Sequence, residues 1–203
     1  MEKRILDRTR FEYYWSYYLS IERMLEDTRR FVAASDENKN TYSDEFAKII
    51  LLSCSEIDSI LKIICKLKGV EKTHTLSGYG DLTYKILKND EEPLEDWYVK
   101  NIREMAYSPD LSTYINEKSL IAYPFKEMDN YKKYGGLEWW SAYQALKHNR
   151  LESATVGNLY NAVSSVVAHY ILIRILIEFL RDYDGKEYVD KHNISEYFIP
   201  CVW

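Results

Sequence analysis

The sequence predicts an all-α protein, a four- to five-helix up-and-down bundle with an inserted segment that carries a small β-hairpin. Three observations favour this class. Seven glycines and four prolines in 203 residues are few, which is typical of helices rather than of a turn-rich sandwich. Apolar residues recur at helical period in several long segments. The longest apolar segment, residues 154–180, is interrupted by polar and charged side chains, which indicates a buried central helix and not a membrane span.

Composition and charge restrict the functional classes. The length fits one helical domain over residues 1–203, and 46% hydrophobic and 29% charged residues are ordinary for a soluble globular protein. A formal charge of −5 gives no general basic surface for nucleic acid, so any RNA contact must be local or be built by a dimer groove. The charged, aromatic N-terminus is unlike a secretory signal, so we expect a cytoplasmic protein without a membrane partner.

The cysteines give no sign of a disulfide framework or a metal site. Cys54 and Cys65 are eleven residues apart on one predicted helix, about 16 Å along its axis, which is too far for a disulfide. No Cys-x-x-Cys or Cys/His cluster indicates a zinc site, so we expect no metal ion. We also expect no cofactor.

The first two helices are expected over residues 5–33 and 42–68. The first has an apolar seam at Phe11, Tyr14, Tyr18, Ile21, Leu25 and Val32, and its aromatic block is interpreted as core rather than as a base-stacking platform. The second has Thr41 or Ser43 as its N-cap and an apolar face at Phe46, Ile49, Ile50, Ser53, Ile57, Ile60, Leu61 and Ile64. Asp58 and Lys62 are spaced to form an ion pair. Glu56 stands beside the apolar face and is interpreted first as a solvated side chain, with a role in a polar site as the alternative.

The segment at about 70–136 is predicted to be an insertion rather than a domain, because it has too few aliphatic residues for its own core. Within it, residues 112–115 and 120–123 are expected to form the hairpin. The C-terminal tail, at about 183–203, ends in a stretch that is able to add a strand to this hairpin.

The third and fourth helices are expected over residues 137–150 and from Ser153 or Thr155 to about 182. In the third, Trp139, Ala142, Tyr143 and Leu146 share one face and His148 points nearly opposite. In the fourth, Arg174 and Glu178 are four residues apart and are spaced to pair with each other.

One polar cluster, Lys147-His148-Asn149-Arg150, has the residue types for chemistry on RNA. An imidazole can transfer a proton near pH 7, and a guanidinium can hold a phosphate with paired donors. Such groups can drive a ribose 2′-hydroxyl onto its own phosphate without a metal ion. The competing interpretation is a helix C-terminus that carries cations because the helix dipole favours them. Of the other histidines, His74 and His192 lie in polar contexts, and His169 is expected to be a hydrogen-bonded core residue.

These residues carry a resemblance to a known family. The run Trp139-Trp140-Ser141-Ala142-Tyr143-Gln144-Ala145-Leu146-Lys147-His148-Asn149-Arg150, followed by an Ala/Val-rich helix, resembles the HEPN (higher eukaryote and prokaryote nucleotide-binding) family. The likeness is to its bacterial branch with a Trp-Trp-x-x-Tyr-Asn-x-x-Lys-His-x-Arg pattern. Residues 55–62 also resemble the preceding helix of that group. The resemblance covers the bundle helices well, and the first helix and the insertion weakly.

The resemblance implies a helical bundle, often homodimeric, in which His148, Asn149 and Arg150 are catalytic and Lys147 and Arg150 bind phosphate or RNA. Glu56, Tyr143 and Trp140 would support them, with Glu56 anchoring Arg150 or orienting His148. Many members are metal-independent endoribonucleases in toxin–antitoxin or other defence systems. This sequence departs from the active motif, because the six residues before His148 include no arginine.

Two functional hypotheses follow, with a third that has less to support it. The protein binds RNA or a nucleotide in defence or stress, as a metal-independent endoribonuclease with an atypical motif or as a binder, and an antitoxin is a possible partner protein. Alternatively, it is a non-catalytic homodimeric interaction module, in which the Lys147–Arg150 cluster holds the helices together. The third is a small-molecule site under the Tyr-rich insertion.

Overall fold

Helices dominate the fold, as the sequence predicts. The structure, a computed structural model, describes residues 5–67, 109–110, 120, 122, 124, 137–192, 195 and 199–200. Within these residues the helices are α1 (Arg8–Thr28), α2 (Asp44–Leu67), α3 (Glu138–Asn149), α4 (Leu159–Glu178), α5 (Arg181–Asp184) and α6 (Lys186–Lys191). Short 3₁₀ turns occupy Asp36–Asn38 and Ala154–Val156. The prediction of an all-α helical bundle is confirmed.

The four long helices alternate in direction. Just before α2 and α4 begin, the Ser43 backbone N–H donates to the Gly157 carbonyl. Further along both helices, Ser53 Oγ donates to the Ser165 carbonyl. Helices α2 and α4 are therefore parallel. Helix α3 ends beside the first residue of α2, where Arg150 bonds Asp44, so α3 runs opposite to α2. Because α1 also begins beside the last turns of α2, where they share a cavity, the chain goes up, down, up and down.

Helix α4 lies at the centre of the core. It packs most extensively against α2 and also contacts α1 and α3. It is long and apolar enough to cross a membrane by length and composition alone, but 94% of its most apolar window is buried inside the bundle. Burial of this extent is what the central helix of a soluble protein shows, as the sequence predicts.

The start of α1 is fixed by Asp7, whose side chain accepts a hydrogen bond from the Arg10 backbone N–H at 2.9 Å. The predicted seam holds, because Phe11, Tyr18, Ile21 and Leu25 are buried and Tyr14 and Val32 pack against them. The interpretation of the whole aromatic block as core is wrong at one position. Tyr13 is 67% exposed.

Helix α2 agrees with the prediction in its N-cap, its apolar face and its ion pair. Ser43 Oγ accepts a hydrogen bond from the Phe46 N–H at 3.1 Å, so Ser43 rather than Thr41 is the cap. All eight residues of the predicted apolar face are buried. Lys62 pairs with Asp58 one turn before it. Cys54 and Cys65 are both free and buried, as the helix geometry requires.

The predicted start of α4 at Ser153 or Thr155 is wrong. The helix begins at Leu159, and the Asn158 side chain caps it by accepting the Asn161 N–H at 2.9 Å. The preceding residues instead pair with the loop before α2, where Tyr42 and Asn158 form an antiparallel bridge. The predicted pairing of Glu178 with Arg174 is also wrong. The Glu178 carboxylate accepts hydrogen bonds from Nε and Nη2 of Arg181.

The inserted segment is described at few positions. Leu120, Ala122 and Pro124 are buried, and Trp139 Nε1 donates a hydrogen bond to the Pro124 carbonyl at 2.7 Å. Most of the predicted hairpin lies outside the described residues. In the tail, β2 (Ile199–Pro200) lies antiparallel to β1 (Pro109–Asp110), which precedes the predicted hairpin and is not part of it.

Candidate functional site

Helix α3 displays the Lys147–Arg150 cluster on the surface. Trp139, Ala142 and Leu146 anchor its opposite face in the core, so the last turn of the helix faces outward. Lys147, His148, Asn149 and Arg150 are all exposed. The predicted orientation of His148, away from the buried face, is therefore confirmed.

His148 is the histidine best placed to meet a substrate. Its ring is exposed, and no residue in the described part of the chain bonds to it. His192 differs, because its Nε2 lies 3.0 Å from Glu12 Oε1 and its Nδ1 lies 2.9 Å from the Tyr188 carbonyl oxygen. Both of its nitrogens are occupied, so His192 ties α1 to the C-terminal end of the chain. His74 lies outside the described residues.

His169 is a core residue, as predicted. It is fully buried, its Nδ1 lies 3.5 Å from Ser53 Oγ, and Tyr18 packs edge-on against its ring with centroids 5.3 Å apart. Its Nε2 has no hydrogen-bond partner among the described atoms. Burial disfavours the charged ring and lowers the pKa of His169 from 6.5 to about 3. It is therefore neutral at physiological pH and closed to any substrate.

The neighbours of His148 are held by weak surface contacts. Arg150 Nη2 donates to Asp44 Oδ1 at 2.8 Å, with the two side chains 56% and 95% exposed. Asn149 Nδ2 donates to Glu152 Oε2. The Lys147 ammonium stands 5.5 Å from the centre of the Tyr143 ring, a cation–π arrangement. An incoming phosphate can compete with contacts of this kind, because solvent-exposed ion pairs contribute little.

Glu56 does not join the cluster. The anchor of Arg150 is Asp44, which lies twelve residues before Glu56 on α2, about 18 Å along the helix axis. Glu56 instead lies near Tyr14, whose pKa is raised first by burial and then by the Glu56 charge. Burial raises the pKa of Glu56 itself. The expectation that Glu56 anchors Arg150 or orients His148 does not fit this geometry.

Trp140 and Tyr143 lie on the buried side of α3 and support the cluster at its end. Both rings are nearly buried, and their centroids are 4.9 Å apart. Trp140 also packs edge-on against Trp139, at 5.8 Å. The aromatic part of the motif therefore fixes α3 on the bundle, and Tyr143 also carries Lys147 over its ring.

A groove opens beside Arg150, and we name it the α2–α3 groove. Its volume is about 440 Å³, and it is lined by Tyr42, Ser43, Asp44, Ala47, Leu146, Arg150, Leu151 and Ala154. Its floor is made of small and apolar side chains. Two large apolar residues at its edge remain exposed, Tyr42 at 57% and Leu151 at 91%. The groove has the size and mixed lining of a binding site.

A buried polar network joins α1 to the tail, and no sequence motif indicates it. Glu22 is 1% exposed and accepts hydrogen bonds from the Tyr18 hydroxyl, at 2.6 Å, and from Ser195 Oγ in the tail. Burial and the Glu22 charge together raise the pKa of Tyr18 well above its usual value. No local signal identifies this contact, because Glu22 and Ser195 are 173 residues apart in the chain. The network holds the tail on α1 and is sealed from solvent.

Fold and site together define an all-α helical bundle protein with an exposed histidine between cations at the end of α3. Among the described residues, no group of His, Cys, Asp and Glu is arranged to hold a metal ion. Comparisons with protein-family models, with curated proteins and with solved structures find no match. The relation to the HEPN family therefore stays a hypothesis based on the sequence motif.

Proposed function

We propose that this protein binds RNA at the Lys147–Arg150 cluster and cleaves it without a metal ion, with His148 as the residue that transfers the proton. The observation that carries the proposal is the position of His148. Among the described histidines it alone combines an exposed ring with nitrogens that no described residue occupies. Lys147 and Arg150 flank it and supply two cations for a phosphate. The resemblance of this run to the HEPN motif is the second support.

The proposed reaction needs the groups of the cluster and a proton from solvent. The 2′-oxygen of a ribose attacks the adjacent phosphorus, its proton passes to His148, and the bond from phosphorus to the 5′-oxygen breaks. The leaving 5′-oxygen takes a proton from solvent, and the products carry a 2′,3′-cyclic phosphate and a 5′-hydroxyl. Arg150 and Lys147 would stabilise the negative charge that builds up on the phosphate oxygens.

Arg150 must leave Asp44 in order to bind a phosphate. Because both side chains are more than half exposed, their ion pair contributes about 0–1 kcal/mol. The bond to Asp44 is charge-assisted like a bond to phosphate, but its small contribution in solvent means that little free energy is lost when the guanidinium turns to a phosphate, which it can hold with two parallel N–H···O bonds. The α2–α3 groove lies beside the released guanidinium and would take the neighbouring nucleotide.

The wider setting is part of the same proposal. A homodimer would bring two copies of the cluster together and gather the cations that the net charge of −5 does not provide over the whole surface. By its HEPN resemblance the protein would act in the cytoplasm, in defence or stress, with RNA or a nucleotide as ligand and an antitoxin as a possible partner protein.

The test is incubation of the purified protein with cellular RNA in EDTA. We expect the wild type to cleave and His148→Ala to be inactive while keeping the wild-type melting temperature, because the ring makes no described contact. Lys39→Ala is the control for Lys147→Ala. Both variants change the net charge equally, and Lys39 is an exposed lysine on the loop before α2. Loss of cleavage in Lys147→Ala but not in Lys39→Ala supports the cluster. Equal activity of His148→Ala and wild type would refute the assignment.

A second candidate is a non-catalytic homodimeric interaction module. The observation in its favour is the exposed apolar pair Tyr42 and Leu151 at the edge of the α2–α3 groove. In this case the wild type leaves RNA intact and elutes as a dimer, whereas Leu151→Glu elutes as a monomer. Arg150 makes one exposed ion pair and His148 bonds to no described residue, so we expect no large loss of stability in Arg150→Ala or His148→Ala.

A further inference from the structure

A second cavity lies at the other end of α2, between its last turns and the first half of α1. Its volume is about 480 Å³, and it is lined by Ile5, Arg10, Tyr13, Tyr14, Ile63 and Lys66. This volume is within the range of small-molecule sites. Among the described residues, the linings of this cavity and of the α2–α3 groove have no member in common.

Two cations line the cavity, and they differ in their surroundings. Arg10 is fixed, because its Nη1 donates to the Ile5 carbonyl at 2.6 Å and its Nε lies 3.9 Å from the Asp7 carboxylate. Lys66 is exposed in the last turn of α2 and bonds to no other described residue. The helix dipole favours a cation there, and the same position leaves its ammonium free for a ligand.

The apolar part of the lining is unusually open. Tyr13 is 67% exposed and Ile5 is 44% exposed, so both leave apolar surface in water beside the cavity. The Tyr13 and Tyr14 rings stand nearly perpendicular, with centroids 6.0 Å apart. A flat group is able to stack on the exposed face of Tyr13 while it contacts Ile5 and Ile63. The Tyr14 phenol is protonated near neutral pH, and burial raises its pKa further, so it is able to donate a hydrogen bond.

Negative groups near the cavity limit the charge of its ligand. Asp7 lies beside Arg10, and Glu56 lies near Tyr14. These carboxyl groups would oppose a multiply charged phosphate more strongly than a single carboxylate. A ligand with one negative charge therefore fits the balance of charges.

We propose that this cavity binds a small aromatic monocarboxylate, with its flat body against Tyr13 and the isoleucines and its carboxylate at Lys66 and Arg10. Such a site is independent of any activity toward RNA. A probe of this class has about a dozen heavy atoms, so a dissociation constant of about 1 mM or below is expected.

The test is calorimetric titration of the full chain with 2-naphthoate, beside its neutral analogue 2-naphthamide and beside 2-naphthyl phosphate. We expect 2-naphthoate to bind one site, and the other two probes to bind at least about tenfold more weakly. The variants Lys66→Ala and Tyr13→Ala should each weaken 2-naphthoate binding about tenfold, which corresponds to about 1.4 kcal/mol. Lys66→Arg should retain it.

Matched controls separate the cavity from general surface effects. Lys48→Ala removes an exposed lysine near the other end of α2, and Phe31→Ala removes an aromatic ring that is 82% exposed beyond the end of α1. Both should bind 2-naphthoate like the wild type. The proposal is overturned if the wild type does not bind the probe, if the amide binds as well as the acid, or if both cavity variants bind like the controls.

Discussion

Buried His169 makes the stability of the bundle depend on pH in a calculable way. Its pKa in the folded chain is about 3, below the value of 6.5 for an unfolded chain. Between these two values the unfolded chain binds a proton that the folded chain does not, so stability is complete above pH 6.5 and falls as the pH drops toward 3. From pH 7 to pH 5 this one group should cost about 2 kcal/mol. For a chain of this size that corresponds to a decrease of about 4–8 °C in melting temperature.

The assay is urea unfolding at pH 7 and pH 5 for wild type, His169→Gln and His169→Phe. The two variants have different packing costs, but neither can take up a proton at this position. Both should therefore lose about 2 kcal/mol less than wild type between the two pH values. If the three proteins lose the same free energy on acidification, His169 is not the buried neutral ring that the structure shows.

Two further predictions concern packing and the buried network. Gly157→Ala should lower the free energy of unfolding by about 1–3 kcal/mol, because the new Cβ would lie 2.9 Å from Ala47 Cβ. In a double-mutant cycle measured by urea unfolding, adding Ala47→Gly should recover part of this loss. Additive losses in the two variants would contradict the contact. Glu22→Ala should lower the free energy of unfolding by about 1–3 kcal/mol, because the buried Tyr18 hydroxyl loses its acceptor. The control Glu26→Ala, on the exposed side of α1, should change the melting temperature little. Equal melting temperatures of the two glutamate variants would contradict the network.

The sequence was sufficient for the elements that depend on local signals. The seam from Phe11 to Leu25 and the apolar face of α2 have helical period, and both are buried as predicted. Ser43 caps α2 because a short hydroxyl before a charged first turn serves this role locally. The direction of His148 followed from its angle to the apolar face of α3.

The errors have a common physical origin in contacts between distant parts of the chain. The sequence pattern predicts too early a start for α4, because the residues before Asn158 pair with the loop before α2, which periodicity does not reveal. The hypothesis that Glu56 anchors Arg150 fails because Asp44 is the carboxylate that reaches Arg150. The aromatic block predicts Tyr13 in the core, yet Tyr13 borders a cavity.

The exposed position of His148 has a consequence for its substitution. A residue that contributes to the core cannot be removed without loss of stability, whereas this ring is exposed and makes no hydrogen bond, ion pair or ring contact with a described residue. Activity and folding are therefore separable in His148→Ala. The same separation does not hold for Trp140, which is nearly buried and whose loss would disturb α3 itself.

The most direct test of the proposed function is cleavage of one short RNA in EDTA, with the products analysed for their end groups. The same sequence with 2′-O-methyl riboses serves as the substrate control, because it lacks the attacking hydroxyl. We predict that wild type converts the RNA to fragments with 2′,3′-cyclic phosphate ends and leaves the methylated strand intact, and that His148→Ala cleaves neither. An intact RNA with wild type, or cleavage that persists in His148→Ala, would contradict the account.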